Sequence, residues 1–234
     1  MTDKTIYFTR HAQAEHNVAE DYTIRDAPLT KLGRQQSAEL REDTEEHFQK
    51  DAELLVSSPL RRPMQTMIVG YAPLRKRLEA EGKPVILLPE LQEVNDLPCD
   101  TGSDRSLLES DPEFSGLDFT PLSDSPSHHG GASWTSKQGF FAPENVEERA
   151  RWVRRWLRER KEKKIVVVAH GDILRCITDG YRSATPWANA EVRAYTFASA
   201  DDDDAKVIPV KEVAKEGGNA PTSSDLQNGR NRTY

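Results

Sequence analysis

Four short apolar runs, each stopping at a cluster of polar residues, constrain this chain more than any other feature. Thr5-Ile6-Tyr7-Phe8-Thr9 stops at Arg10-His11, and Glu53 to Ser57, carrying Leu54-Leu55-Val56, leads through Ser57-Ser58 to Arg61-Arg62. Pro84 to Leu88, carrying Val85-Ile86-Leu87-Leu88, is followed by Glu93. Lys164 to Ala169, carrying Ile165-Val166-Val167-Val168, is followed by His170-Gly171. Continuous apolar runs of this length predict strands buried on both faces, as in a parallel sheet. Parallel strands need crossovers, and helical patterns lie between the runs. Thr30 to Phe48 opens on a Thr30 cap, and Pro59 to Leu78 carries apolar residues at helical spacing. Glu144 to Lys163, preceded by Pro143, sets Val146, Ala150, Val153 and Leu157 in one inward stripe that Trp152 and Trp156 extend. The alternation predicts an α/β three-layer sandwich, a mostly parallel central sheet with helices on both faces.

Two stretches break the pattern. Cys99 to Ala142 is rich in Ser, Asp, Gly and Pro, with Phe114, Phe119, Trp134, Phe140 and Phe141 scattered through it. A segment that long without regular periodicity is functional or disordered, and its aromatics favour an ordered insertion. His128-His129, before Gly130-Gly131, reads as loop, with substrate contact as the lesser alternative. From 215 to 234 the chain has little apolar content, so a disordered tail is expected behind one domain spanning 1–214. Asp201 to Asp204 reads as a solvated turn between two β-rich runs. The basic run Arg149-Arg151-Arg154-Arg155-Arg158-Arg160-Lys161 alternates with Glu147, Glu148, Glu159 and Glu162, the pattern of a solvated helix face.

Composition narrows the function. The formal net charge is −7, which argues against a nucleic-acid surface, because phosphate backbones are held by clustered Lys and Arg. No apolar run approaches the ~20 residues of a membrane span, and the first residues lack a signal-peptide layout. Cys99 and Cys176 form neither a disulfide framework nor a metal pattern. A cytoplasmic location is expected, with a nuclear one left open. Oligomeric state is not set by these features.

The informative fact is positional. In open α/β sheets, ligands bind beyond the carboxyl ends of the strands. If the four strands are parallel, two His, at least two Arg and one Glu converge on one rim. Arginine forks match phosphate oxygens. A histidine among them can be nucleophile, base or anion-binding donor, and a carboxylate can protonate a leaving oxygen. No Asp/His cluster has metal-ligand spacing, so charge neutralisation is expected from Arg and His with no metal or cofactor.

These residues reach a known family. Thr9-Arg10-His11-Ala12, followed by Asn17, resembles the Arg-His-Gly signature of the histidine phosphatase superfamily, the phosphoglycerate mutase-like family. Pro28-Leu29-Thr30-Lys31-Leu32-Gly33 resembles its next stretch, and Ser57-Ser58-Pro59-Leu60-Arg61-Arg62-Pro63-Met64-Gln65-Thr66 its second arginine motif. Leu91-Gln92-Glu93 resembles the Leu-x-Glu that carries its acid, and Val168-Ala169-His170-Gly171 its second histidine. Glu93 through Gly102, with Gly116-Leu117-Asp118-Phe119, looks like the fungal branch of its phosphatases. The matches run in order over residues 5 to 175.

The resemblance implies a phosphatase that cleaves phosphorylated small molecules through a phosphohistidine on His11. It implies that Arg10, Arg62 and His170 hold phosphoryl oxygens, that Asn17 sits at the pocket edge, and that Glu93 is general acid, then base. Arg62 is favoured over Arg61, and only the Leu-x-Glu match singles out Glu93 among Glu90, Asp96 and Asp100. His16 is either a substrate contact or an exposed helix position. Phe119 and Trp134, with the insertion's other aromatics, are expected to wall the leaving-group side. Ala12 stands where the family has Gly, tolerable if its φ is negative. Pro63 stands where it has Ala, compatible with a first helical turn. A phosphoglycerate-type mutase would share the phosphohistidine, but Asn95-Asp96-Leu97-Pro98-Cys99-Asp100 replaces the Arg-, Tyr- and Gly-rich residues expected after its acid. A non-enzymatic phospho-ligand or protein-interaction module would need neither nucleophile nor acid.

Overall fold

The computed structural model describes residues 3–122, 133–180 and 185–210. His128-His129 and the 215–234 tail therefore lie outside the described residues. The four apolar runs form strands β1 (Thr5–Arg10), β2 (Leu54–Ser57), β3 (Ile86–Leu87) and β4 (Lys164–Ala169). They pair in parallel in the order β3-β2-β4-β1. The sheet is completed by β5 (Val192–Phe197), antiparallel to β1, and β6 (Val207–Pro209), antiparallel to β5. The fold is a three-layer α/β sandwich on a mostly parallel sheet.

Side chains of a strand alternate between faces, and each face owns a separate core. Tyr7, Leu55, Val166 and Val168 pack on one side with Leu40, Met64, Met67, Leu74 and Leu78. These helical residues belong to α2 (Lys31–Thr44), α3 (Arg61–Gly70) and α4 (Ala72–Ala80). Ile6, Phe8, Leu54, Val56, Ile165 and Val167 pack on the other side with Val146, Val153, Leu157, Ile173 and Ile177. These lie on α6 (Val146–Glu159) and α7 (Gly171–Thr178). Two further helices, α1 (Glu15–Val18) and α5 (Arg105–Ser110), are short.

Local chemistry sets the helix limits. Thr30 Oγ1 accepts from Gly33 N at 2.9 Å, the cap that the sequence predicts. The following pattern runs as α-helix to Thr44 and as a π-type turn over Glu45–Gln49. The segment from Pro59 to Leu78 is two helices rather than one, broken at Tyr71 (φ −118°). Pro73 has no N–H to extend α3 past that point and sits instead in the first turn of α4. Pro63 lies in the first turn of α3, and Ala12 is not among the residues with positive φ.

The insertion is ordered where described. It contains α5 and several 3-10 turns, and it lays Leu108, Phe114, Phe119, Leu122, Trp134 and Phe141 into the α2/α3/α4 core. The Asp201–Asp204 turn joins β5 to β6. Its backbone carbonyls accept from three arginines of α6: Arg154 Nε at 2.8 Å, Arg155 Nε at 2.6 Å, and Arg158.

Candidate active site

The sheet register brings the polar clusters together. Arg10, the last residue of β1, lies level with Ala169, the last of β4, and Ser57 of β2 is level with Val168. His11 N then donates to Ala169 O at 2.9 Å and Ser58 N to Val168 O at 2.9 Å, so each chain leaves the sheet at one edge. Beyond that edge is a cavity of about 120 Å³ whose lining includes Arg10, His11, His16, Asn17, Arg62 and Glu93.

His11 is the centre of the arrangement. Its Nδ1 lies 2.7 Å from Ala12 O, which can only accept, so Nδ1 carries the proton. Its Nε2 accepts from Arg62 Nε at 3.1 Å. The ring is therefore neutral, with the Nε2 lone pair on the arginine side. Burial first, then the Arg62 and Arg10 guanidinium groups, hold the His11 pKa well below the ordinary histidine value.

Arg62, 1 % exposed, is fixed on every side. Besides His11, it donates Nη1 to Cys99 O at 2.6 Å and Nη2 to Asp100 Oδ1 at 3.2 Å. Arg61 points elsewhere: its Nη1 pairs with Asp111 at 2.8 Å and its guanidinium lies over the Phe114 ring. Arg10 is buried and donates Nη1 to Trp187 O. Its Nε would lie 3.3 Å from a Cβ placed on Gly171, so glycine gives the guanidinium its room.

His170 is fully buried, with its ring centroid 5.2 Å from that of His11. Ser58 Oγ lies 2.9 Å from its Nε2, while its Nδ1 has no partner among the described residues. Burial and the Arg62 charge keep this ring neutral as well. His16 is buried rather than exposed, and its pKa falls to about 2 through burial and the charges of Arg62 and Arg10. Asn17 Nδ2 donates to His16 Nε2 at 3.0 Å, which puts the proton on Nδ1, an atom with no partner among the described residues. Asn17 Oδ1 accepts from Ala14 N at 3.1 Å and so fixes the start of α1.

Glu93 faces this cluster from the N-terminus of α7. Its Oε1 accepts from Ile173 N and Val94 N, each at 3.0 Å, and its Oε2 from Asp172 N at 3.3 Å. Burial, aided by Asp172 and Asp100 and opposed by Arg62, raises its pKa to about 7. A carboxyl balanced at neutral pH can give a proton and take it back.

Two sequence expectations are corrected. Trp134 and Phe119 do not line the cavity. The Trp134 ring packs across Gly102, where a Cβ would come within 2.0 Å of it, and both aromatics are buried in the α2/α3/α4 core. Phe140 turns instead toward Trp152, at 6.4 Å between centroids. The second correction concerns Arg149, which is not on a solvated face but fully buried. It lies three residues after Val146 and four before Val153, the spacing of the inward stripe. That signal was available in the sequence. The cavity walls supplied by Tyr22, Asn95, Asp172, Arg175 and Trp187 carry no comparable signal.

The family model described as histidine phosphatase superfamily, branch 1, matches residues 6–199. The chain belongs to the histidine phosphatase superfamily. A probable phosphatase of Schizosaccharomyces pombe is 32% identical over 177 residues, covering 74% of this chain and 76% of that protein. A phosphoglycerate mutase-like protein of Arabidopsis thaliana is 30% identical over 217 residues, covering 76% and 74%. Among solved structures, the alpha-ribazole phosphatase of Shigella flexneri superposes with a TM-score of 0.54 at 19% identity, covering 88% of this chain and 94% of that one. This likeness concerns the fold. A histidine phosphatase with these relatives is a phosphatase or phosphomutase enzyme. Among its described residues no helix is long and apolar enough to cross a membrane, and no three His, Cys, Asp or Glu side chains are grouped to hold a metal ion.

Proposed function

We propose that the chain hydrolyses phosphate monoesters of small molecules through a phosphohistidine on His11, without a metal ion. The observation that carries this reading is the neutral His11 ring, whose Nε2 lone pair meets Arg62 Nε at 3.1 Å at the cavity. In the first step the Arg62 Nε–H turns from His11 Nε2 to a phosphoryl oxygen, the freed Nε2 lone pair attacks phosphorus in line, the ester P–O bond breaks, and the leaving oxygen takes the proton of Glu93. In the second, a water oxygen attacks phosphorus while Glu93 carboxylate takes its proton, and the N–P bond breaks to release phosphate and neutral His11.

Arg10, the remaining N–H groups of Arg62, His170 Nδ1–H and Asn17 would hold the phosphoryl oxygens. His16 Nδ1–H, buried at the cavity wall and without a partner among the described residues, would contact phosphate or leaving group. Phosphate monoester hydrolysis requires accelerations of up to ~10²¹-fold, and a positioned acid supplies only ~10²–10⁴. The larger share falls to the nucleophile and the cationic cradle.

The test is phosphate release from p-nitrophenyl phosphate in EDTA, with trapping of phosphorylated protein by an alkaline detergent quench, for wild type and His11→Ala. Wild type should turn over and trap an acid-labile, alkali-stable phosphoryl group, and His11→Ala should do neither. Turnover that persists in His11→Ala would overturn the mechanism. Isomerisation of 3-phosphoglycerate without net phosphate release would assign the chain to the mutases.

A further inference from the structure

Two buried cations beside the site have no part in the chemistry above. Lys137, on the insertion, is 9 % exposed and donates Nζ to the backbone carbonyl of Glu93 at 3.1 Å. Arg149, on α6, is fully buried and donates Nη2 to the same carbonyl at 3.3 Å. Arg149 Nε and Nη1 have no acceptor among the described residues. Lys137 also sits at φ +53°, a conformation that strains a non-glycine residue. A neighbouring bond from Gln92 Nε2 to Trp134 O at 2.8 Å ties the insertion to the same segment.

Burying two like charges against one carbonyl is costly unless opposite charges lie close and their placement matters. The opposite charges are those of the acid's own surroundings. Glu93 and Asp100 favour the Lys137 ammonium, and Glu93, Glu90 and Asp100 favour the Arg149 guanidinium. Burial and the Arg149 charge nonetheless bring Lys137 down to about 7. The other groups facing Glu93 are Asp172 on α7, Arg62 on α3, and the Cys99 and Cys176 thiols.

We propose that Lys137 and Arg149 are positioning residues that clamp the Glu93 main chain and hold its carboxyl across the start of α7, in line with the leaving oxygen. The described end of the insertion then serves the acid, because it delivers one half of the clamp. The proton-delivery part of this assignment rests on the phosphatase reading; the clamp itself does not.

The test compares glycerol 2-phosphate, whose alkoxide needs a proton to leave, with p-nitrophenyl phosphate, whose phenolate hardly does. Lys137→Met keeps the apolar stem and removes the charge. It should lower turnover of the alkyl ester about tenfold, a fraction of the ~10²–10⁴ an acid supplies, and that of the aryl ester by less than ~threefold. Lys137→Arg should recover most of the alkyl rate. Separately, the Glu93 carboxyl titration followed by NMR should move up by roughly one unit in Lys137→Met and in Arg149→Met, because a nearby cation is lost. An equal loss on both esters, or an unmoved titration, overturns the assignment. If wild type hydrolyses neither ester, the phosphatase reading falls and the titration alone decides the clamp.

Discussion

Arg62 Nε and His11 Nε2 lie 3.1 Å apart, and the same guanidinium is anchored from behind by Cys99 O at 2.6 Å and Asp100 Oδ1 at 3.2 Å. One cation thus orients the imidazole and, after burial, helps to keep it from taking a proton. Asp100 and Cys99 follow the acid in sequence, so the chain that delivers Glu93 also locks the arginine.

Removing that guanidinium should act on rate and on pH together. Arg62→Gln is expected to lower kcat/KM by at least ~10²-fold, the usual cost of one preorganised donor to a transition-state anion. The arginine charge also helps to depress His11, after burial. Without it the His11 pKa rises toward its ordinary value, so the acidic limb of the pH–rate profile should move to higher pH. A limb that stays in place while the rate falls would remove Arg62 from the control of His11 protonation.

Glu93 makes an opposite prediction about stability. Its pKa is raised to about 7 in the fold from 4.5. A group raised in this way contributes stability that is fully present below the unfolded value and is lost as pH rises through the folded one. Glu93→Gln, neutral throughout, should match wild type near pH ~4.5 and gain on it by up to roughly 3 kcal/mol above pH ~7. Urea unfolding of both proteins at the two pH values measures this. The variant should meanwhile lose most of its turnover on alkyl esters, so that it becomes a more stable and less active protein.

Much of this was legible in the chain. The apolar runs ended within one residue of the strands, and Arg10, His11, Arg62, Glu93 and His170 were each named by a motif and brought to one sheet edge by parallel pairing. What escaped was set by tertiary packing. The insertion's aromatics look alike in sequence whether they face a ligand or a core, and only the close approach of Gly102 to the Trp134 ring shows which. Arg149 was hidden by composition: its neighbours Arg151 and Arg155 are exposed and half-buried, and only its phase with Val146 and Val153 sets it apart. The hydrogen bonds that fix Arg62 come from a backbone carbonyl and an Asp that lie 37 and 38 residues further along the chain, features without a sequence pattern.

Trp134 supplies a direct check on that distinction. If it is core, Trp134→Ala should cost roughly 3–5 kcal/mol of stability, the range for large aromatic truncations. Its effect on the ratio of aryl to alkyl phosphate turnover should be small. Denaturant melts and the two-substrate ratio read the outcomes independently. A changed ratio with unchanged stability would return Trp134 to the substrate wall.

His16 tests how strongly the cavity excludes positive charge. Its pKa lies near 2 in the fold, against 6.5 for the free side chain. A depressed group contributes stability that is present above the unfolded value and lost as pH falls. Below pH ~6.5 the unfolded chain takes up a proton at this residue that the folded one refuses. Each such histidine should therefore remove about 1.4 kcal/mol per pH unit. His11 and His170 add to the same slope, while Glu93 opposes it between its two pKa values. The slope of wild type alone cannot separate these, but its difference from His16→Gln can. That difference should be flat above pH ~7 and fall by about 1.4 kcal/mol for each pH unit below ~6, with wild type losing ground. A flat difference across the whole range would mean that His16 is reached by water, and that its Nδ1–H is not held ready for an anion.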